Sequence, residues 1–228
     1  MTTAASQQPT LAGSQGQSLG ESSTVHFPTD PSLPGRYFEP RQAGPTFDYT
    51  PNPGKSLPLS PARQALVADI IALYEMGATV DRVRRYTPDA VYHDELGYAA
   101  DRYRIAGQWF GLPYVFGAAR SRGHEVVTND RDLIRFRHEM EWRLKALPKT
   151  VRLRSLVSLA LDPATADAEF VRVKYHKDQA SEEDYGKDGV GQVLKKVQAE
   201  VTAGMLSAVD EDLRAFLPDK GAGSEREG

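Results

Sequence analysis

The sequence predicts an α+β fold: a cone-shaped, curved antiparallel sheet wrapped around N-terminal helices, with an added C-terminal helix. Three observations carry this. A capped amphipathic helix opens the ordered part at Ser60-Pro61. Three consecutive stretches, 134–145, 151–161 and 170–177, alternate apolar and polar residues and are joined by short turn sequences. A stripe at helical spacing, Val190, Val193, Leu194, Val197, Val201 and Met205, follows them. Consecutive strands joined by short turns pair antiparallel, which leaves the helices to one side. A long sheet curling round the first helices leaves a cone with an open mouth.

Composition sets the outer limits. The chain has 228 residues, and the first 60 hold nine of its fifteen prolines with almost no apolar periodicity. Such a segment cannot bury enough apolar area to offset the entropy of ordering it. The expected division is a disordered tail over 1–57, one domain over 58–212 and a polar tail over 213–228. No basic residue precedes Arg36, no hydrophobic block follows the start, and no apolar run reaches the ~18 residues of a membrane span. With no cysteine, disulfides, thiol catalysis and Cys-ligated metal are excluded. The expectation is a soluble cytoplasmic or nuclear protein with no membrane partner.

The net charge of −3 is unevenly spread. Residues 131–177 carry 11 Lys/Arg against 6 Asp/Glu. Arg135, Arg137, Arg152 and Arg154 fall on the wet positions of their strands, with Glu139 and Glu141 between them. That pattern fits cross-strand ion pairing or a dimer surface. It lacks the interleaved aromatics of a single-strand nucleic-acid face, so no nucleic-acid partner is expected.

The elements follow in order. Ser60 caps a helix whose first position suits Pro61. Leu66, Ile70, Leu73 and Tyr74 recur at helical spacing, and Gly77 reads as a left-handed end. A short helix from Thr79 or Val80 comes next, then a strand over 89–94. Tyr103 to Phe110 reads as a second strand, and Pro113 as the start of a helix reaching Arg120. From Ile134, alternation is strict: Ile134, Phe136, His138, Met140, Trp142 and Leu144 share one face. Val151 to Leu161 repeats the pattern. In 170–177, Val171, Val173 and Tyr175 take one side.

The order of elements, with Tyr86-Thr87-Pro88-Asp89-Ala90-Val91-Tyr92-His93-Asp94-Glu95 and the later Gly111-Leu112, resembles the nuclear transport factor 2-like superfamily. That superfamily includes SnoaL-like polyketide cyclases, ketosteroid isomerases and scytalone dehydratase. The resemblance covers about 60 to 178. The piece from Lys174 through Tyr185 to the last helix resembles uncharacterised, mostly fungal SnoaL-like proteins. The resemblance implies a cone fold, and a homodimer formed through the sheet. It carries fold further than function.

Asp94 is the sharpest catalytic candidate, because the resemblance places it where isomerases hold a proton-abstracting base. A carboxylate on an apolar wall can have a raised pKa. The position implied for an oxyanion-donating tyrosine is Ile70 here, and Glu95 stands where the pattern has proline. His138, on the apolar face of the clearest strand, is the candidate partner; a core histidine satisfied by a neighbour gives the same pattern. Tyr86, Tyr92, Tyr103, Trp109, Phe136, Met140 and Trp142 are the expected apolar lining, suited to a planar ligand or to a plain core. His93 should face away from Asp94, and His124 and His176 read as exposed. The five histidines show no H-x-x-x-H or H-x-E pairing, so no metal site and no cofactor are expected. Three functions remain open: binding of a small apolar or aromatic molecule, proton-transfer lyase, isomerase or cyclase chemistry, and a protein-interaction module.

Overall fold

The computed structural model describes residues 48–94, 98–145 and 150–181, together with Leu213 and Phe216. Most of the expected N-terminal tail, Glu95, the turn at Pro148 and the stripe from Val190 to Met205 lie outside the described residues.

Helix α1 spans Pro61–Tyr74, with the Ser60 hydroxyl accepting from the Arg63 amide. It buries Leu66, Val67, Ile70, Leu73 and Tyr74. Its end differs from the expected one. Met76, not Gly77, takes the left-handed conformation (φ 63°). Gly77 is needed for space: a Cβ there would sit 2.9 Å from the Ala72 carbonyl oxygen. A short α2, Val80–Val83, is capped by Thr79 and leads into β1, Tyr86–His93.

The next region corrects two expectations. Residues 103–110 are not a strand, and no helix runs from 113 to 120. After β2, Tyr98–Ala100, helix α3 runs Arg102–Val115 and strand β3 runs Phe116–Asn129. Asp101 caps α3 by accepting from the Arg104 amide at 2.8 Å. Ile105, Ala106 and Trp109 then fall on one buried helical face. Pro113 lies in the last turn, where few hydrogen bonds remain to lose. Strand β3 shows no clean alternation because it is a sheet edge with three register irregularities and mostly half-exposed residues.

Strands β4 (Leu133–Leu144), β5 (Thr150–Leu161) and β6 (Val173–Ala180) complete a six-stranded curved, unclosed sheet. Its order is β2-β1-β6-β5-β4-β3, and every pairing is antiparallel except β1 with β6. One apolar core joins α1, α3 and the inner sheet face. Val91, Tyr175 and Ala160 form a smaller cluster on the outer face.

Packing reaches residues before 58: Tyr49 is buried, the Leu57 amide donates to the Val126 carbonyl, and the Val126 amide donates to Ser56 Oγ. Leu213 and Phe216 are also core residues.

Candidate functional site

A single inserted residue decides what faces the inside of the sheet. Ala160 of β5 pairs with Tyr175, and the next residue, Leu161, pairs with Val173. Lys174 is therefore the extra residue of a β-bulge, and it reverses the alternation of β6. Val173 points into the core, Tyr175 points to the outer cluster, and His176 and Asp178 turn inward. The expected shared face for Val173 and Tyr175 is thus corrected. So is the expectation for His176: it is 0 % exposed. His124 is half-buried on β3, opposite His138.

His176 is the centre of a hydrogen-bonded chain with a fixed direction. Tyr74, the last residue of α1, donates its hydroxyl proton to Asp178 Oδ2 at 2.7 Å. With that proton used, Tyr74 Oη accepts from His176 Nε2 at 3.1 Å. His176 then carries its proton on Nε2, and Nδ1 accepts from the Tyr86 hydroxyl at 2.8 Å. The order is Tyr86, His176, Tyr74, Asp178, each donating to the next. Tyr74 lies one turn beyond Ile70 on the same helical face, so α1 does supply a buried hydroxyl, though not from the position the resemblance implied.

Burial sets the charge of these groups. It pushes His176 down to about 3, with His138 a lesser cause, so the imidazole is neutral at pH 7. Burial and then the Asp178 charge hold Tyr74 well above the ordinary tyrosine value. Tyr86 is raised by burial too, and the Trp109 indole N–H offsets part of the rise although it closes no hydrogen bond of regular geometry.

The candidates from sequence fall around this chain. Asp94, at the end of β1, is half-buried and accepts from the Tyr92 hydroxyl at 3.1 Å. Tyr92 is raised well above its ordinary value by burial and by the Asp94 charge. Trp109 stacks on His176 with centroids 6.2 Å apart and meets Tyr74 and Tyr92 edge-on at 5.0 and 5.4 Å. His138 is 0 % exposed, held down to about 3 by burial, and bonded through Nε2 to Ser121 Oγ at 3.0 Å. Its Nδ1 has no hydrogen-bond partner among the described residues. Its ring meets Tyr74 edge-on at 5.1 Å.

Asp94 is thus tied to Tyr92, and His138 to Ser121. The rings of Tyr92, Trp109 and Tyr74 connect their surroundings. Phe136, Met140 and Trp142 continue the inner face of β4, and Trp142 Nε1 donates to the Tyr74 carbonyl. Tyr103 is partly buried against the same core. His93 lies on the outer side, against Tyr175 and Tyr98. Sequence reading missed Tyr74, His176, Asp178 and Ser121 as polar members. The signal for His176 and Asp178 was their position beyond a bulge that alternation alone does not reveal.

No family model matches the chain, and no curated protein matches it. Solved structures do. A steroid delta-isomerase from Pseudomonas aeruginosa is 17 % identical, with 67 % of this chain and 100 % of that one covered, at a TM-score of 0.46. A nuclear transport factor 2-like protein from Anabaena variabilis is 12 % identical, covering 52 % and 86 %, at 0.44. A putative polyketide cyclase from Xanthomonas campestris is 13 % identical, covering 52 % and 91 %, at 0.40. Solved structures similar to this chain include nuclear transport factor 2-like, ketosteroid isomerase-like and polyketide cyclase types.

Proposed function

We propose that the inner face of the curved sheet binds a small, mostly apolar or aromatic molecule. Tyr92, Trp109, Phe136, Met140 and Trp142 supply its apolar surroundings, and the Tyr86–His176–Tyr74–Asp178 chain holds its polar end. The carrying observation is that chain, set among the apolar side chains of the core. A core needs no such groups for stability, since apolar residues of similar volume serve as well. Aromatic walls with a few placed polar groups suit recognition of a small molecule.

The direction of the chain favours a second reading, a proton-transfer lyase, isomerase or cyclase. A proton reaching Tyr86 Oη lets the proton already there pass to His176 Nδ1. The Nε2 proton then moves to Tyr74, and the Tyr74 proton to Asp178. Each proton crosses one hydrogen bond, and every oxygen and nitrogen keeps its valence. Asp94, beside Tyr92, is the base that would take the first proton from a bound molecule, and His138 is the second imidazole of the site.

The test is a thermal-shift panel of planar phenols and aromatic ketones. At least one should raise the melting temperature in a saturable way, and His176→Asn should weaken its binding about tenfold. No shift at saturating concentration would overturn the binding reading. For a ketone that binds, exchange of its α-hydrogens in D2O, followed by NMR, tests proton transfer. Exchange should slow in both Asp94→Asn and Tyr74→Phe; a rate unchanged by either removes the second reading.

A further inference from the structure

Where the β1–β6 seam begins, at Tyr86 and Val173, the ends of three elements that each carry an arginine come together. Arg84 closes α2, Arg102 opens α3, and Arg172 directly precedes β6. The seam brings them together. Tyr86 pairs with Val173, and Arg102 Nη1 donates to the Tyr86 carbonyl at 3.3 Å, beside the strand that Arg172 enters.

The neighbouring cations are compensated. Arg82 and Arg85 share Asp69, and Lys174 pairs with Asp89. Among the described residues Arg84 pairs with the exposed Asp81 alone, at 3.2 Å. Arg102 and Arg172 have no carboxylate within ion-pair distance among the described residues. Arg172 Nε is buried without a hydrogen-bond partner. Two aromatic rings flank the group. Arg102 lies 5.5 Å from the Phe216 centroid, and Arg172 lies 5.9 Å from that of Phe170, which is 40 % exposed.

We propose that Arg84, Arg102 and Arg172 form a binding site for a phosphate group, free or as an ester. Two half-buried cations with no carboxylate at ion-pair distance among the described residues, and a third weakly paired, match a dianion better than a single carboxylate. A phosphate carries about −1.5 to −2 at pH 7 and accepts bidentate bonds from guanidinium forks. Burial, then Arg172 and Arg84, hold the Arg102 guanidinium below its ordinary value. This site shares no side chain with the inner-face chain, although Arg102 holds the Tyr86 carbonyl, and its test does not depend on the function proposed above.

The experiment is calorimetric titration of the full chain with inorganic phosphate and with phenyl phosphate, ionic strength held constant with chloride. Saturable binding is expected, weakened at least tenfold in Arg102→Gln and in Arg172→Gln and severalfold in Arg84→Gln. Arg122→Gln, an exposed site on β3, should bind as the wild type does. Tighter binding of phenyl phosphate assigns an ester; equal binding assigns free phosphate. Absence of saturable binding, or wild-type affinity in Arg102→Gln and Arg172→Gln, overturns the proposal. Arg84 has a 55 % exposed side chain, so its variant keeps the fold. If the other two fail to fold, wild-type phosphate affinity in Arg84→Gln is the result that overturns it.

Discussion

His138 and His176 lie on the same inner face, are both fully buried and are both neutral, yet their settings differ. His138 sits on β4, where alternation is regular, and uses one nitrogen. His176 sits past a bulge on β6 and uses both. Regular alternation delivers a side chain to the core without specifying its partners. The bulge delivers His176 in register with Tyr74 and Tyr86, so its tautomer is fixed by two hydroxyls. A buried histidine becomes a positioned group only when both nitrogens are held.

The largest expected effect comes from shifting β6 by one residue past the bulge. Inserting an alanine after Tyr175 should turn His176 and Asp178 outward and Lys177 inward. Loss of at least ~4 kcal/mol, or of a cooperative unfolding transition, is expected in urea. Lys174→Ala keeps the residue count and removes only an exposed pair with Asp89, so it should cost ~1 kcal/mol or less. Equal effects of the two changes would show that the register of β6 past the bulge does not set the inner face.

Acid comes next. The folded-state values of about 3 for both histidines lie below the ~6.5 of an unfolded chain, so the unfolded state binds more protons. Stability should be full above about pH 6.5 and fall as pH drops toward 3. Burial at these values corresponds to an upper limit of roughly 5 kcal/mol for each histidine. Between pH 6.5 and about 4.5 most carboxylates remain ionised, so urea midpoints there report mainly the histidines. A midpoint flat across that window would show that neither is held neutral.

The smallest effect should separate the two histidines. His176→Leu leaves the hydroxyls of Tyr74 and Tyr86 without their imidazole and should cost ~3 kcal/mol. His138→Leu removes a polar atom that has no partner and gives up one bond to Ser121, so its stability should stay within ~1 kcal/mol of wild type. Chemical denaturation of both variants checks this, and equal losses would erase the distinction between them.

The legible parts of the sequence were those with local causes. Ser60-Pro61 marked the start of α1, and the unbroken alternation from Ile134 to Leu144 marked β4 and its inner residues. Residues 103–120 were misread because aromatic residues on one helical face imitate a strand, and an edge strand buries too little to alternate. Tyr74 read as one more apolar position of α1. Its role depends on Asp178, 104 residues away, which no spacing rule reaches.

By itself, the sequence determined the α+β class, the helix that fills the sheet and the apolar face of β4, because periodicity and capping are properties of neighbouring residues. Only the tertiary structure decided which polar groups meet inside it. One extra residue in β6 reversed a strand's faces, and the parallel seam of β1 with β6 joined Tyr86 to His176 and gathered Arg102 and Arg172 at its end. Such meetings are set by register between distant segments, where a shift of a single residue changes every partner.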